Sequence, residues 1–256
     1  MNLNTLNKDV KNNIKDYVMF KPYNKKELKN AIDLWCKNKD NALIRYGYIS
    51  NWNTSLIKDM SGLFQDKDSF NDNINNWDVS NVTDMDYMFF GTESFNEPIN
   101  SWDVSSVTTM EGMLCYASSF NQPLDLWDVS SVNRMNTMFQ GASVFNQHLD
   151  SWDVSSVTNM NAMFGHASSF NQPLNSWDVS SVTDMAWMFY EASIFNQPLD
   201  SWDVSSVIEM GGMFRRASSF NQSLNSWDVS NVLDMNYTSP VDSSFDINKA
   251  LWYNFN

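Results

Sequence analysis

Tryptophan stands at residues 52, 77, 102, 127, 152, 177, 202, 227 and 252, always 25 apart. A chain that returns to one large side chain at such a period folds as stacked units, because a single unit cannot bury its own apolar groups. Counted from its tryptophan, the unit reads W-D-V-S-S-V-T-x-M-x-x-M-F-x-x-A-S-x-F-N-Q-P-L-x-S. Position 9 is methionine from Met60 to Met235, and position 19 is phenylalanine from Phe70 to Phe245. Fourteen of the 16 methionines fall at positions 9 and 12, which spreads their sulfurs one unit apart. That distribution suits flexible core filling and not a soft-metal site, which needs converging sulfurs.

Two periodicities predict the local structure. In LNSWDVSSV, residues 174–182, Trp and Val alternate with polar residues, the period of a short strand with one buried face. Met185, Met188, Phe189 and Ala192 then follow at i, i+3, i+4 and i+7, the stripe of a short amphipathic helix. Pro198 and Asn196 mark a return loop. The expected fold class is therefore an α/β solenoid, leucine-rich-repeat-like, with a parallel β-sheet on one face, short helices on the other and an N-terminal helical cap. Residues 1–49 are expected to form that cap, with a helical pattern of Leu28, Ile32, Leu34 and Trp35 ending near Gly47. Residues 50–235 form a solenoid of about eight units, and 236–256 a C-terminal cap, where Thr238, Ser239 and Pro240 interrupt the stripe.

Charge is divided between these parts. Residues 1–50 hold ten Lys/Arg against five Asp/Glu, net +5, and residues 51–256 hold six against twenty-five, net −19, which sums to −14. An acidic repeat region repels phosphates, so nucleic acid is not an expected partner. Two cysteines, Cys36 and Cys115, write no disulfide framework. No run of about 20 apolar residues and no signal-peptide pattern is seen, so membrane insertion is not expected. An intracellular or virion-associated location is expected over secretion.

No phosphate-binding, dinucleotide-binding or C-x-x-C motif occurs, and His148 and His166 occupy slots that sister units fill with other residues. Serines and aspartates recur as copies, whereas a catalytic nucleophile or acid pair would differ from its copies. No catalytic residue, cofactor or dedicated metal site is expected. Two features remain as candidate sites. Positions 8, 10, 11, 14 and 15 vary between units and face outward, carrying Tyr87, Phe90, Tyr116, Trp187, Tyr190, Arg215 and Arg216, a composition suited to protein contacts. Asp78, Asp103, Asp128, Asp153, Asp178, Asp203 and Asp228 form a column at position 2 on the polar strand face. Hydrogen bonds from serine are expected to hold most of this charge, leaving weak divalent-cation or basic-segment binding.

The motifs WDVSSVTxMxxMF and FNQPL, with the lead-in LWCKNKDNALIRYGYISNWNTS, resemble the BspA-type leucine-rich-repeat surface proteins over about residues 42–235. The resemblance implies adhesion or protein interaction, with another protein, including a second copy of the chain, as partner. The expectation is a non-enzymatic interaction or structural scaffold. A virion or assembly component is the alternative, and a carbohydrate-binding or hydrolytic protein using the acidic strand face is third. Family members displayed on bacterial surfaces carry export signals, and this sequence shows none.

Overall fold

The computed structural model describes residues 19–236, 238, 249 and 250. Two helices open the described chain, α1 over Lys25–Lys37 and α2 over Lys39–Tyr46. Asn24 caps α1 by accepting from the Glu27 N–H at 3.0 Å, while Glu27 Oε2 accepts from the Tyr23 N–H at 2.9 Å. This reciprocal pair satisfies donors that a helix start leaves unpaired. The single helical pattern expected here is broken at Asn38, whose side chain accepts from the Asn41 N–H at 3.1 Å and starts α2. Leu28, Ala31, Ile32 and Trp35 are the buried face of α1. Lys25 bonds Asp59 and Ser61, Lys39 bonds Asp72, and Lys67 reaches back to Asp33 at 2.7 Å. The basic segment thus closes over the acidic first coil.

From Trp52 onward the described chain runs as seven coils that begin at Trp52, Trp77, Trp102, Trp127, Trp152, Trp177 and Trp202, and an eighth opens at Trp227. The expected α/β fold with a parallel sheet and helical rows does not form: the described residues contain two α-helices, both before Trp52, and no β-strand. Parallel pairing is confined to one residue per coil, the bridges that link Asp59, Asp84, Thr109, Arg134, Asn159, Asp184, Glu209 and Asp234 in series.

The backbone shows why the helical stripe does not make a helix. In coil 2 the N–H groups of Met85, Tyr87, Phe89 and Gly91 donate along the stack to Thr109, Glu111, Met113 and Cys115 of coil 3, at 2.7–3.1 Å. The alternate N–H groups of Met88, Phe90 and Thr92 close turns onto Met85, Tyr87 and Phe89, at 3.0–3.2 Å. Half the donors that a helix would send to the residue four back are therefore committed to the next coil. Positions 11 and 15 also have positive φ, as at Tyr87 (56°) and Gly91 (66°), a conformation that no right-handed helix contains. A four-residue turn repeated twice puts positions 9, 12, 13 and 16 on the core side just as a helix would.

The strand fails for a related reason. Trp102 and Val104 are buried and Asp103 exposed, so the alternation is real. Turns close on either side, however, from Ile99 to Trp102 and from Val104 to Val107. The Ser105 N–H turns to its own Asp103 side chain at 3.2 Å instead of joining a ladder.

Stacking then builds the core. Trp152, Trp177 and Trp202 lie parallel at 6.5 Å, and Phe145, Phe170, Phe195 and Phe220 at 6.0–6.1 Å. From Trp77 to Trp227 the indole N–H also crosses along the stack to the carbonyl 28 residues back: Trp152 Nε1 donates to the Leu124 carbonyl at 2.9 Å and Trp177 Nε1 to that of Leu149 at 2.8 Å. Asparagine at position 20 adds a ladder in which Asn121, Asn146, Asn171 and Asn196 each accept from the backbone N–H of the next asparagine, at 2.9–3.0 Å. Of the C-terminal segment expected as a cap, most lies outside the described residues. Thr238 is buried in a methionine slot, its carbonyl accepts from Phe214 at 3.1 Å, and Lys249 Nζ donates to the Asn221 carbonyl at 2.6 Å.

Trp152 is 3% exposed and supports rings on both sides, so Trp152→Ala is expected to destabilise the chain by about 3–5 kcal/mol. Urea denaturation followed by far-UV circular dichroism measures this. A loss below about 1 kcal/mol would show that the tryptophan stack contributes little.

Candidate functional site

Positions 11 and 15 project from the coil surface because the backbone there is left-handed in each of the first seven coils: Gly62, Tyr87, Gly112, Thr137, Ala162, Trp187 and Gly212 at position 11, and Asp66, Gly91, Tyr116, Gly141, His166, Glu191 and Arg216 at position 15. Glycine suits this conformation, and a residue with a side chain costs about 1–2 kcal/mol more. Tyr87, Tyr116 and Trp187 are therefore placed at some expense, which glycine at the same position of other coils avoids.

The expected outer-face residues form two clusters, with coil 4 between them. In coils 2 and 3, Tyr87 meets Phe90 edge to face at 6.0 Å, and Phe90 meets Tyr116 at 5.9 Å. Glu111 accepts from the Tyr87 hydroxyl and pairs with Arg134, which joins this cluster to coil 4. In coils 5 to 7, Trp187 meets Tyr190 at 5.3 Å, His166 meets Tyr190 at 4.8 Å, and the Arg215 guanidinium lies 5.8 Å over the Trp187 ring. Glu191 binds Arg216 at 2.7 Å and His166 at 3.1 Å, and the Arg216 bond holds its carboxyl below the ordinary value. Tyr116 is 45% exposed and Trp187 36% exposed, so each is partly open to solvent. Glu111 and Glu191 were not singled out from sequence. Their signal lies in charges about one period apart: Glu111 with Arg134, and Glu191 with His166 and Arg216.

The other ring face is occupied. The Tyr87 ring lies over Gly112, the Tyr116 ring over Gly141 and the Trp187 ring over Gly212, so close that a Cβ on any of these glycines would come within 2.4–2.6 Å of a ring carbon. Each ring thus packs directly against the coil that follows it.

The position-2 aspartates are exposed, and each engages its own serine. In coils 2 to 6, Asp78, Asp103, Asp128, Asp153 and Asp178 accept from both the N–H (3.0–3.2 Å) and the hydroxyl (2.6 Å) of the serine two residues on. Asp203 and Asp228 accept from the Ser205 and Ser230 N–H at 3.0 Å. The serine bonds hold the carboxyls of Asp103, Asp128, Asp153, Asp203 and Asp228 below the ordinary value, and for Asp128, Asp153 and Asp228 the neighbouring aspartate opposes this as the smallest influence. One oxygen of each carboxylate is thereby committed locally.

Among the described residues, no three His, Cys, Asp or Glu side chains are grouped to hold a metal ion. Burial pushes the Cys115 thiol up to about 12, so it is protonated at neutral pH. A cleft of about 440 Å³ lies between α1 and the first coil, lined by Asp33, Cys36, Lys37, Asp66, Lys67 and Asp68 among others. Among the described residues no helix is long and apolar enough to cross a membrane.

These features define a repeat protein whose coils share one core and differ on one outward face. The family model described as "Mycoplasma protein of unknown function, DUF285" matches residues 36–152 and again residues 142–252, and the chain belongs to that family. No curated protein and no solved structure matches it.

A carboxyl stabilised in its charged form by folding adds stability above its unfolded value and loses it as the pH falls through its lower folded value. The column is therefore expected to weaken the fold as the pH drops below the ordinary aspartate value of 3.8. Ser130→Ala should raise the Asp128 carboxyl toward that value, read by carbon NMR titration. An unmoved Asp128 would show that the hydroxyl does not hold it.

Proposed function

We propose that the protein is a non-catalytic interaction scaffold that binds another protein through the outward side chains of positions 11, 14 and 15. The observation that carries this is the cluster of Trp187, Tyr190, His166, Glu191, Arg215 and Arg216, which the shared core does not require. Sister coils carry Gly, Ala or Thr at position 11, and the same backbone forms there. Partly exposed rings packed on glycine have less rotamer freedom left to lose, so they offer contact area at low ordering cost. Arginine stacked on tryptophan suits the centre of such a surface. The likeness of WDVSSVTxMxxMF and FNQPL to BspA-type surface repeats supports an adhesion-type setting for this contact. Two features speak for a non-catalytic role: the serines and aspartates form the same bonds coil after coil, and the two histidines lie by carboxylates, His148 by Asp150 at 3.6 Å and His166 by Glu191 at 3.1 Å.

The test compares the wild type with a Tyr87→Ser, Phe90→Ser, Trp187→Ser, Tyr190→Ser variant, each immobilised and exposed to extract from the native source, with bound proteins identified by mass spectrometry. A defined protein retained by the wild type and lost by the variant is expected, with both chains giving the same circular dichroism spectrum. Retention of the same proteins by both chains, or of none by either, would overturn the proposal.

A further inference from the structure

We infer that side chains at positions 11 and 15, each matched by a glycine or a polar partner one coil later, act as register keys that make each coil stack on its own neighbour. The coils pose a problem that their core does not solve. Tryptophan, valine, methionine and phenylalanine recur at the same positions, so coil 3 would find the same apolar surface on coil 5 as on coil 4. Misassembly between like units is a known hazard of repeat chains. Only the variable positions can tell the neighbours apart.

Those positions hold complementary pairs at five of the six junctions among the first seven coils. Asp66 of coil 1 lies over Gly91 of coil 2, Tyr87 over Gly112 of coil 3, and Tyr116 over Gly141 of coil 4. His166 of coil 5 meets Glu191 of coil 6 at 3.1 Å. Coil 6 carries two keys to coil 7, the Trp187 ring over Gly212 and Glu191 bonded to Arg216 at 2.7 Å. Skipping a coil destroys the match. Tyr116 would meet His166 instead of Gly141, Tyr87 would meet Thr137 instead of Gly112, and Asp66 would meet Tyr116 instead of Gly91. The junction of coils 4 and 5 has the reverse order, Gly141 followed by His166, and so lacks a key of this kind. This inference concerns assembly of the chain on itself and stands whether or not the outer ring faces bind a partner.

Two measurements test it. The first is a mutant cycle in urea denaturation. Gly212 has φ +67° and an added Cβ would meet the Trp187 ring, whereas Gly62 has φ +60° and the nearest atom is a flexible glutamine oxygen at 3.3 Å. Gly212→Ala is expected to lower the urea midpoint more than Gly62→Ala, and Trp187→Ala is expected to remove that excess. Equal losses, or strict additivity, would overturn the key as a packing element. The second measures register directly. Cys115 Sγ lies 3.9 Å from Gln140 Oε1, so in a Cys36→Ser, Gln140→Cys chain a disulfide reports coil 3 stacked on coil 4. Oxidation before unfolding confirms that the pair can form. After unfolding under reducing conditions, refolding and oxidation, the chain with Tyr116 is expected to recover the crosslink, and the added Tyr116→Ala is expected to leave a larger uncrosslinked fraction. Ala162 occupies the same left-handed conformation at φ 51°, so alanine is tolerated by such a backbone. Equal crosslinking with and without Tyr116 would overturn the register role.

Discussion

Every coil depends on its neighbour for half the hydrogen bonds of its most apolar stretch. The N–H groups at positions 9, 11, 13 and 15 run along the stack, as from Met85, Tyr87, Phe89 and Gly91 to coil 3, and a coil alone would leave them unpaired beside a buried core. The indole N–H groups and the asparagine ladder follow the same axis. Hydrogen bonding, ring stacking and methionine packing therefore all require the same thing, the next coil in place. Stability in such an array is a sum of nearest-neighbour contacts, and its ends must be closed by something other than another coil. At the N-terminal end α1 does this, with Leu28, Ile32 and Trp35 against the first coil and Lys25 and Lys39 on its aspartates.

The same ladder decides where variation is allowed. Alternating the donors between the next coil and a local turn forces positions 11 and 15 into left-handed backbone, which turns their side chains outward. These positions cannot serve the core, so they are free to differ. At Tyr87, Tyr116 and Trp187 the glycine one coil later makes room for the ring, which packs against that coil and stays partly open to solvent. The proposed register keys and the proposed contact surface thus share one column of side chains.

Electrostatics play a smaller and more local part than the charge totals suggest. The net −19 of residues 51–256 includes the position-2 aspartates, each held by its own serine, so the bonds that stabilise the column are made within a coil. Exposed ion pairs such as those joining the cap to the first coil contribute about 0–1 kcal/mol each, and apolar burial under α1 carries most of the closure.

The sequence by itself determined the unit, its length, its register and its core. Nine tryptophans at a spacing of 25 require stacking, and the alternation of Trp102 and Val104 with Asp103 tells inside from outside. It also told which residues are dispensable to that core, and so where a candidate site lies. It could not tell a helix from a string of turns, because both bring positions 9, 12, 13 and 16 to one side. That choice belongs to the backbone donors, and their partners sit 24 residues ahead, in the next coil. Nor could residue types alone show that the Trp187 ring rests on Gly212 or that Glu191 joins His166 to Arg216. Those contacts exist only once the coils are stacked, and stacking is what turns residues one period apart into neighbours.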